Sequence, residues 1–398
     1  MLPIADAFEY EYRGCDIRYG RGAVDQLSEY LVDRDLDRAL IVCGSNVGAN
    51  DDLMDPLRAG LGDQLAGVFD GTTPAKTAES VFEAVDAIER TDADVLVGVG
   101  GGSSLDIARQ ASVFAADDRS LSELREEAES GGIRSPDPDG ERRPVIVVPT
   151  TFAGADVSRG GSVEVLPADE SPTDQPITTG GSTMPIANIA DPALFETTPT
   201  SALAGSAMNG FDKGIETPYA RDADPVSDAT AVHGLRLLSD ALPRAVNEDP
   251  DQDAMDRAVV GSLLVQLDRK VSIVHAFGHG FSRRYDLQQG DVHAVVVPHV
   301  LRYLFDEVDG SRRLLASGLG IDPTGRSDDD LADAVVERVT EIRDALGVPA
   351  RLRDLPETRD EDLRAVAEFI VDDSPMARTP DGLDPDPAAI ERVLREAW

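Results

Sequence analysis

The chain has 398 residues, 41% of them hydrophobic, which is long enough for two domains with sizeable buried cores. Against 75 Asp and Glu stand only 37 Lys and Arg, a formal charge of −38 whose field repels nucleic acid and anionic membrane surfaces and argues against both as partners. Only Lys76, Lys213 and Lys270 are lysines, and so acid-rich, lysine-poor a composition predicts a halophilic protein. The start, MLPIADAFEYEYRGCDIRYG, lacks the basic-then-apolar order of a secretory signal, and no apolar run reaches membrane-spanning length, so a cytoplasmic location is expected. Cys15 and Cys43 are too few for a disulfide framework or a cysteine metal site.

In chain order, RALIVCGSNVG (38–48) is an apolar run closed by Gly and Ser, TAESVFEAVDAIERT (77–91) repeats apolar residues at helical spacing, and DADVLVGVGGGSSLDIARQASVFAA (92–116) is a second run, a glycine cluster and another helix. Strand, helix and strand in that order imply parallel pairing with right-handed crossovers. RRPVIVVPTT (142–151) and MPIANIADP (184–192) add two strands, while 125–143, rich in Gly, Pro and charge, reads as a surface excursion. After Pro192 the strand signals fade and every periodic segment is helical. The expectation is an α/β dinucleotide-binding domain over 1–192 with a Rossmann-like parallel sheet, an all-α catalytic domain over 193–398, and a cleft between them.

Three stretches carry chemistry. In GVGGGSSLD (98–106), Gly100, Gly101 and Gly102 let backbone N–H groups approach a ligand, and Ser103 is placed to cap the following helix, whose N-terminus favours a pyrophosphate. In VPTTFAGADVS (148–158), Thr150 and Thr151 fall at the same sheet edge. Either stretch alone is as well explained as a tight turn that satisfies its own hydroxyls, but two at one edge favour a nucleotide. Between 274 and 300, His275 and His279 stand one helical turn apart, with His293 and His299 following, so four of the five histidines share one window and only His233 lies outside it. Upstream, NGFDKGIETPYA (209–220) sets Asp212, Lys213 and Glu216 on a core-facing helix, where a charge is costly unless paired or used.

In their order and spacing, the glycine turn, the PTT loop, a helix similar to NAxxHxxE and an HxxxH helix followed by PH resemble the iron-containing alcohol dehydrogenase superfamily. The resemblance runs from about residue 17 to 305 and is nearest to the maleylacetate reductase branch, through TTFAGAD, Asn209 and His293. It implies a dehydroquinate synthase-like architecture, NADP or NAD lying along Gly100, Gly101, Gly102, Ser103, Asp106, Thr150 and Thr151, a small carbonyl or alcohol substrate, and a homo-oligomer. It also implies a metal on the positions of Asn209, Lys213, His275 and Gln289, and contact of His279 with nicotinamide or substrate. Arg109 stands where the family has a lysine. An ammonium has no lone pair and glutamine is a weak ligand for a transition metal, so this set argues against the family's divalent metal.

Lys213 then has two readings, one as a cation that replaces the metal in catalysis with Asn209, His275 and His279 around it, the other as a partner of Asp212 or Glu216 in a nucleotide-binding pseudoenzyme. A metal relocated to Asp212, Glu216, His275 and His293 is a third. Gly44 ends its strand without the acid that would repel a 2′-phosphate, so NADP is expected to bind at least as well as NAD. Arg159, Arg283 and Arg284 are candidates for a substrate carboxylate or, equally, for the surface.

Overall fold

The computed structural model describes residues 8, 10, 11, 14–173 and 175–398. The chain forms two compact units, Arg13–Thr198 and Pro199–Trp398. The first is built on strands β1 (Asp16–Tyr19), β2 (Ala39–Gly44), β3 (Leu65–Thr72), β4 (Val95–Gly100), β5 (Val145–Pro149), β6 (Val163–Leu166), β7 (Ile177–Thr179) and β8 (Ala187–Ala190). Six of them pair in the order β1-β8-β5-β4-β2-β3, parallel at every ladder. Helices α1 (Leu27–Val32), α2 (Ser45–Gly48), α3 (Asp51–Leu61), α4 (Ala78–Thr91), α5 (Gly102–Phe114), α6 (Leu121–Glu129) and α7 (Pro192–Phe195) complete this unit.

Burial explains which strands could be read in advance. The four central strands are covered on both faces, so they are spelled as nearly unbroken apolar runs such as LIVC and VIVV. The edge strands β1 and β3 are largely half-buried or exposed and carry no such run, and the sequence signals missed both. Also unforeseen was the β6–β7 antiparallel pair. The segment 125–143 is not wholly an excursion, since its first residues belong to α6, which Ser120 and Glu123 start with a reciprocal capping box.

Connections from β2 leave towards β3 on one side, whereas β4 continues to β5 and β8 on the other. The order therefore reverses between β2 and β4, and the crevice outside their C-terminal ends is where such sheets take ligands. Gly44 ends β2 and Gly100 ends β4.

Among the described residues the second unit has helices and no strands: α8 (Thr200–Glu216), α9 (Pro225–Ala245), α10 (Gln252–Leu267), α11 (Ile273–Ser282), α12 (Gln289–Glu307), α13 (Arg312–Gly318), α14 (Asp328–Ala345), α15 (Leu363–Asp372) and α16 (Pro387–Glu396). The crossing of α8 and α12 is set by backbone contact, because a Cβ on Gly290 would fall 1.8 Å from the Gly205 carbonyl oxygen. That approach brings the start of α12 against Asn209 on α8. No helix among the described residues is long and apolar enough to cross a membrane.

Candidate active site

In the α/β unit the glycine turn and the threonine loop meet. Thr150 N–H donates to the Gly100 carbonyl at 3.1 Å, so the ends of β4 and β5 stay in register beyond the sheet. Gly100 has φ +124°, a conformation other residues rarely adopt, and it turns the chain into α5. Gly101, not Ser103, occupies the N-cap of α5 and no side chain caps it, so the first-turn N–H groups are left to the backbone and to a ligand. Ser103 lies inside the first turn, where the expected capping geometry is already past.

Asp106, in the second turn of α5, is engaged by two cations. Its Oδ2 accepts from Lys76 Nζ at 3.0 Å, and its Oδ1 from Arg109. Arg109 is fully buried and also donates to the Ala155 carbonyl at 2.6 Å. The carboxylate and Arg109 thus brace the 73–77 segment and the threonine loop against α5. Gly44 pairs with Thr72, and a Cβ there would stand 3.3 Å from the Thr72 carbonyl oxygen, so the end of β2 has little room for a side chain.

In the helical unit, α8 presents Asn209, Asp212, Lys213 and Glu216 along one face, three or four residues apart. Asp212 and Glu216 are fully buried, and Lys213 is 6% exposed. Glu216 Oε1 accepts the N–H groups of Val274 and His275 at 2.6 and 3.2 Å, while Oε2 meets His275 Nδ1. One carboxyl thereby holds the start of α11 and orients its first histidine. His293 packs its ring edge-on against His275, with centroids 4.6 Å apart, and its Nδ1 lies 3.2 Å from Asp212 Oδ2 outside hydrogen-bond alignment. A Cβ on Gly278 would be 2.3 Å from His293 Nε2, so α11 must have glycine where the ring lies against its backbone.

The electrostatics follow from burial. Desolvation holds Asp212 and Glu216 well above the usual carboxylate range; Lys213 opposes the rise of Asp212, and N–H donation from His275 and Val274 opposes that of Glu216. Desolvation pushes His275 well below its usual value and His293 down to about 3, and Lys213 adds to both depressions. Tyr219, fully buried beside Glu216 and Asp212, is raised. Asn209 Oδ1, both Asp212 oxygens, Tyr219 Oη, His275 Nε2 and both His293 ring nitrogens are buried without a hydrogen-bond partner. Such groups are rare in a finished core, and their concentration on neighbouring helices marks the candidate site.

These residues are not well matched to a metal. Of the four positions the resemblance assigns, only His275 offers a strong donor, Lys213 offers none, and among the described residues no three His, Cys, Asp or Glu converge as a ligand set. His275 and His279 have separate ring partners, Glu216 for the first and, for the second, Asp373, whose Oδ2 lies 2.6 Å from His279 Nδ1. The candidate carboxylate binders are largely committed or exposed: Arg284 pairs with Asp362, Arg283 sits over the Phe369 ring at 4.7 Å, and Arg159 is exposed. Glu216 and Asp373 were not foreseen as histidine partners. Glu216 was visible as a buried-face charge, whereas nothing nearby distinguishes Asp373 among 75 acidic residues.

Two family models account for nearly the whole chain, "iron-containing alcohol dehydrogenase" over residues 15–192 and the C-terminal region of the same family over 203–398. The chain belongs to the iron-containing alcohol dehydrogenase family, and with it to the NAD(P)-dependent oxidoreductases that act as alcohol dehydrogenases or carbonyl reductases. Within the family it stands near the maleylacetate reductase branch. It is 27% identical over 405 residues to the maleylacetate reductase of Pseudomonas knackmussii, covering 98% of this chain and 97% of that one. The solved maleylacetate reductase of Rhizobium sp. strain MTP-10005 superposes with a TM-score of 0.77 at 26% identity, covering 99% of each chain. Lactaldehyde reductase of Escherichia coli is likewise 27% identical over 370 residues, 89% of this chain and 91% of that one.

Proposed function

We propose that this protein transfers a hydride between NADP(H), or NAD(H), and a small carbonyl or alcohol, oxo acids included, with the Lys213 ammonium in the place of the family's metal. The observation that carries the reading is a buried lysine set among unpartnered polar groups, at a position the family resemblance gives to a ligand. Removing an ammonium from water costs on the order of several kcal/mol, a cost a chain with only three lysines has little reason to keep without use.

In the reductive direction the hydride leaves the nicotinamide for the carbonyl carbon and negative charge grows on the carbonyl oxygen. Lys213 stabilises that charge by Coulomb attraction and hydrogen bonding in a site of low dielectric, and an acid supplies one proton to give the alcohol and the oxidised nucleotide. Asn209 and His275, the latter held by Glu216, border the same space, and His279 meets nicotinamide or substrate. The glycine turn, Thr150 and Thr151 hold the nucleotide, with Gly44 admitting a 2′-phosphate.

The test is Lys213→Met, assayed in molar KCl with NADPH against aldehydes, ketones and oxo acids, with and without a strong chelator. The expected result is a fall in kcat of about 100- to 1,000-fold, the usual effect of removing a donor to a developing oxyanion, with unchanged NADPH binding and no effect of the chelator on the parent enzyme. Near-parental rates in the variant would sink the assignment, and loss of parental turnover to the chelator would restore a metal. No turnover across the panel would leave a nucleotide-binding pseudoenzyme. A clear preference for NADH over NADPH in binding titrations would remove the cofactor half of the reading.

A further inference from the structure

His279 is on the last turn of α11, one turn beyond His275, yet its ring partner comes from 94 residues later in the chain. Asp373 directly follows α15, and α15 lies against α11 closely enough that a Cβ on Gly280 would be 2.8 Å from Ile370 Cγ1. On the same side, the Arg283 guanidinium covers the Phe369 ring. These contacts fix the end of α15 beside the histidine. Asp373 itself is held in place because its Oδ1 accepts the Ser374 N–H at 3.0 Å, which leaves Oδ2 to accept from His279 Nδ1 at 2.6 Å. The Asp373 side chain is 11% exposed and that of His279 35%, so the carboxylate is sheltered while the imidazole still reaches open space.

We infer that Asp373 is a positioning residue for His279. By accepting the Nδ1–H it selects the tautomer whose Nε2 carries a lone pair, and it stops the ring from turning, so that Nε2 is the atom presented outward. A carboxylate that fixes an imidazole in this way decides which nitrogen can accept or pass on a proton. As stability the pair is worth little, because partly exposed ion pairs contribute about 0–1 kcal/mol, and the geometry is what it supplies. The inference rests on the reading that His279 meets nicotinamide or substrate.

The experiment compares the parent with Asp373→Asn, which keeps the shape and the Ser374 contact, and with Asp373→Glu as the conservative rescue. Two-dimensional NMR of protein labelled with 15N-histidine, with the His279 signal assigned from a His279→Gln sample, reads the tautomer without any need for turnover. The expected result for Asp373→Asn is loss of the Nδ1–H tautomer, a fall in kcat of about 10- to 100-fold at unchanged KM for the nucleotide, and a near-parental melting temperature, with partial recovery of kcat in Asp373→Glu. An unchanged tautomer overturns the inference whatever the rates. A changed tautomer with parental kcat overturns it too, at a different link, by showing that His279 does not take part in the reaction.

Discussion

The glycine turn and the α8–α11–α12 cluster are both built from residues the family resemblance singles out, but they treat polar groups in opposite ways. At the glycine turn the main polar groups have local partners: the Asp106 carboxylate has Lys76 and Arg109, the Ser104 hydroxyl has Thr72 at 2.7 Å, and the Thr150 main chain has the Gly100 carbonyl and the Thr198 hydroxyl, with Arg109 Nε the exception. In the helical unit, Asn209, Asp212, Tyr219, His275 and His293 leave buried oxygens and nitrogens unanswered. An unanswered buried group costs about 1–3 kcal/mol, so five such residues in one place impose a penalty that packing elsewhere must offset. The difference teaches that the loop exposes its first-turn backbone N–H groups while its side chains are braced, whereas the cluster leaves side-chain oxygens and nitrogens unused.

The largest expected effect that would break this comparison is a pH dependence of stability. Burial holds the His293 imidazole at about 3, against an ordinary value of 6.5, so the folded protein binds fewer protons than the unfolded chain between those limits. Stability from this group is fully present above pH 6.5 and is lost as the pH falls towards 3, by as much as roughly 4–5 kcal/mol. Asp212 shifts upward, so its contribution runs the other way, present below its unfolded value and lost as pH rises. Melting temperatures of the parent and His293→Phe between pH 7.5 and 4 separate the two: the parent's advantage should shrink as pH falls. A constant gap would mean that His293 is not held neutral and that the cluster is as well satisfied as the glycine turn.

Next in size is Gly278→Ala. The added methyl meets the His293 ring rather than open space, and overpacking of this kind costs about 1–3 kcal/mol. The expected outcome is a lower melting temperature together with lower kcat and unchanged NADPH binding, since the displaced ring lies in the cluster and not at the nucleotide loops. Unchanged kcat would separate His293 from the chemistry. The smallest effect is expected of Arg284→Ala, because Arg284 is already matched by Asp362 and half exposed. Its removal should alter stability by under about 1 kcal/mol and leave KM for an oxo acid within about two-fold of the parent. A ten-fold rise in KM would show that the Asp362 pairing is exchanged for a substrate carboxylate.

How far the sequence could be read follows the same physical division. Where both faces of a strand or one face of a helix are buried, composition and periodicity carry the signal, and the central strands, α4, α5 and the helical character beyond Pro192 were legible. Half-exposed strands such as DIRY in β1 have no such signature. In the cluster, Lys213 and His275 were visible through local spacing, because residues three or four apart on a helix are neighbours, and His293 through the four histidines that share one window. The contacts of Glu216 with His275 and of Asp373 with His279 were not, since each depends on which helices pack together.

The backbone-to-backbone crossing of α8 and α12 at Gly205 and Gly290 has one more consequence. Because main chain meets main chain at this one point, the closest approach of the two helices is limited by glycine and not by a side chain. The two glycines are therefore the fixed points of the crossing, and the polar residues of α8 beside it can vary without separating the helices.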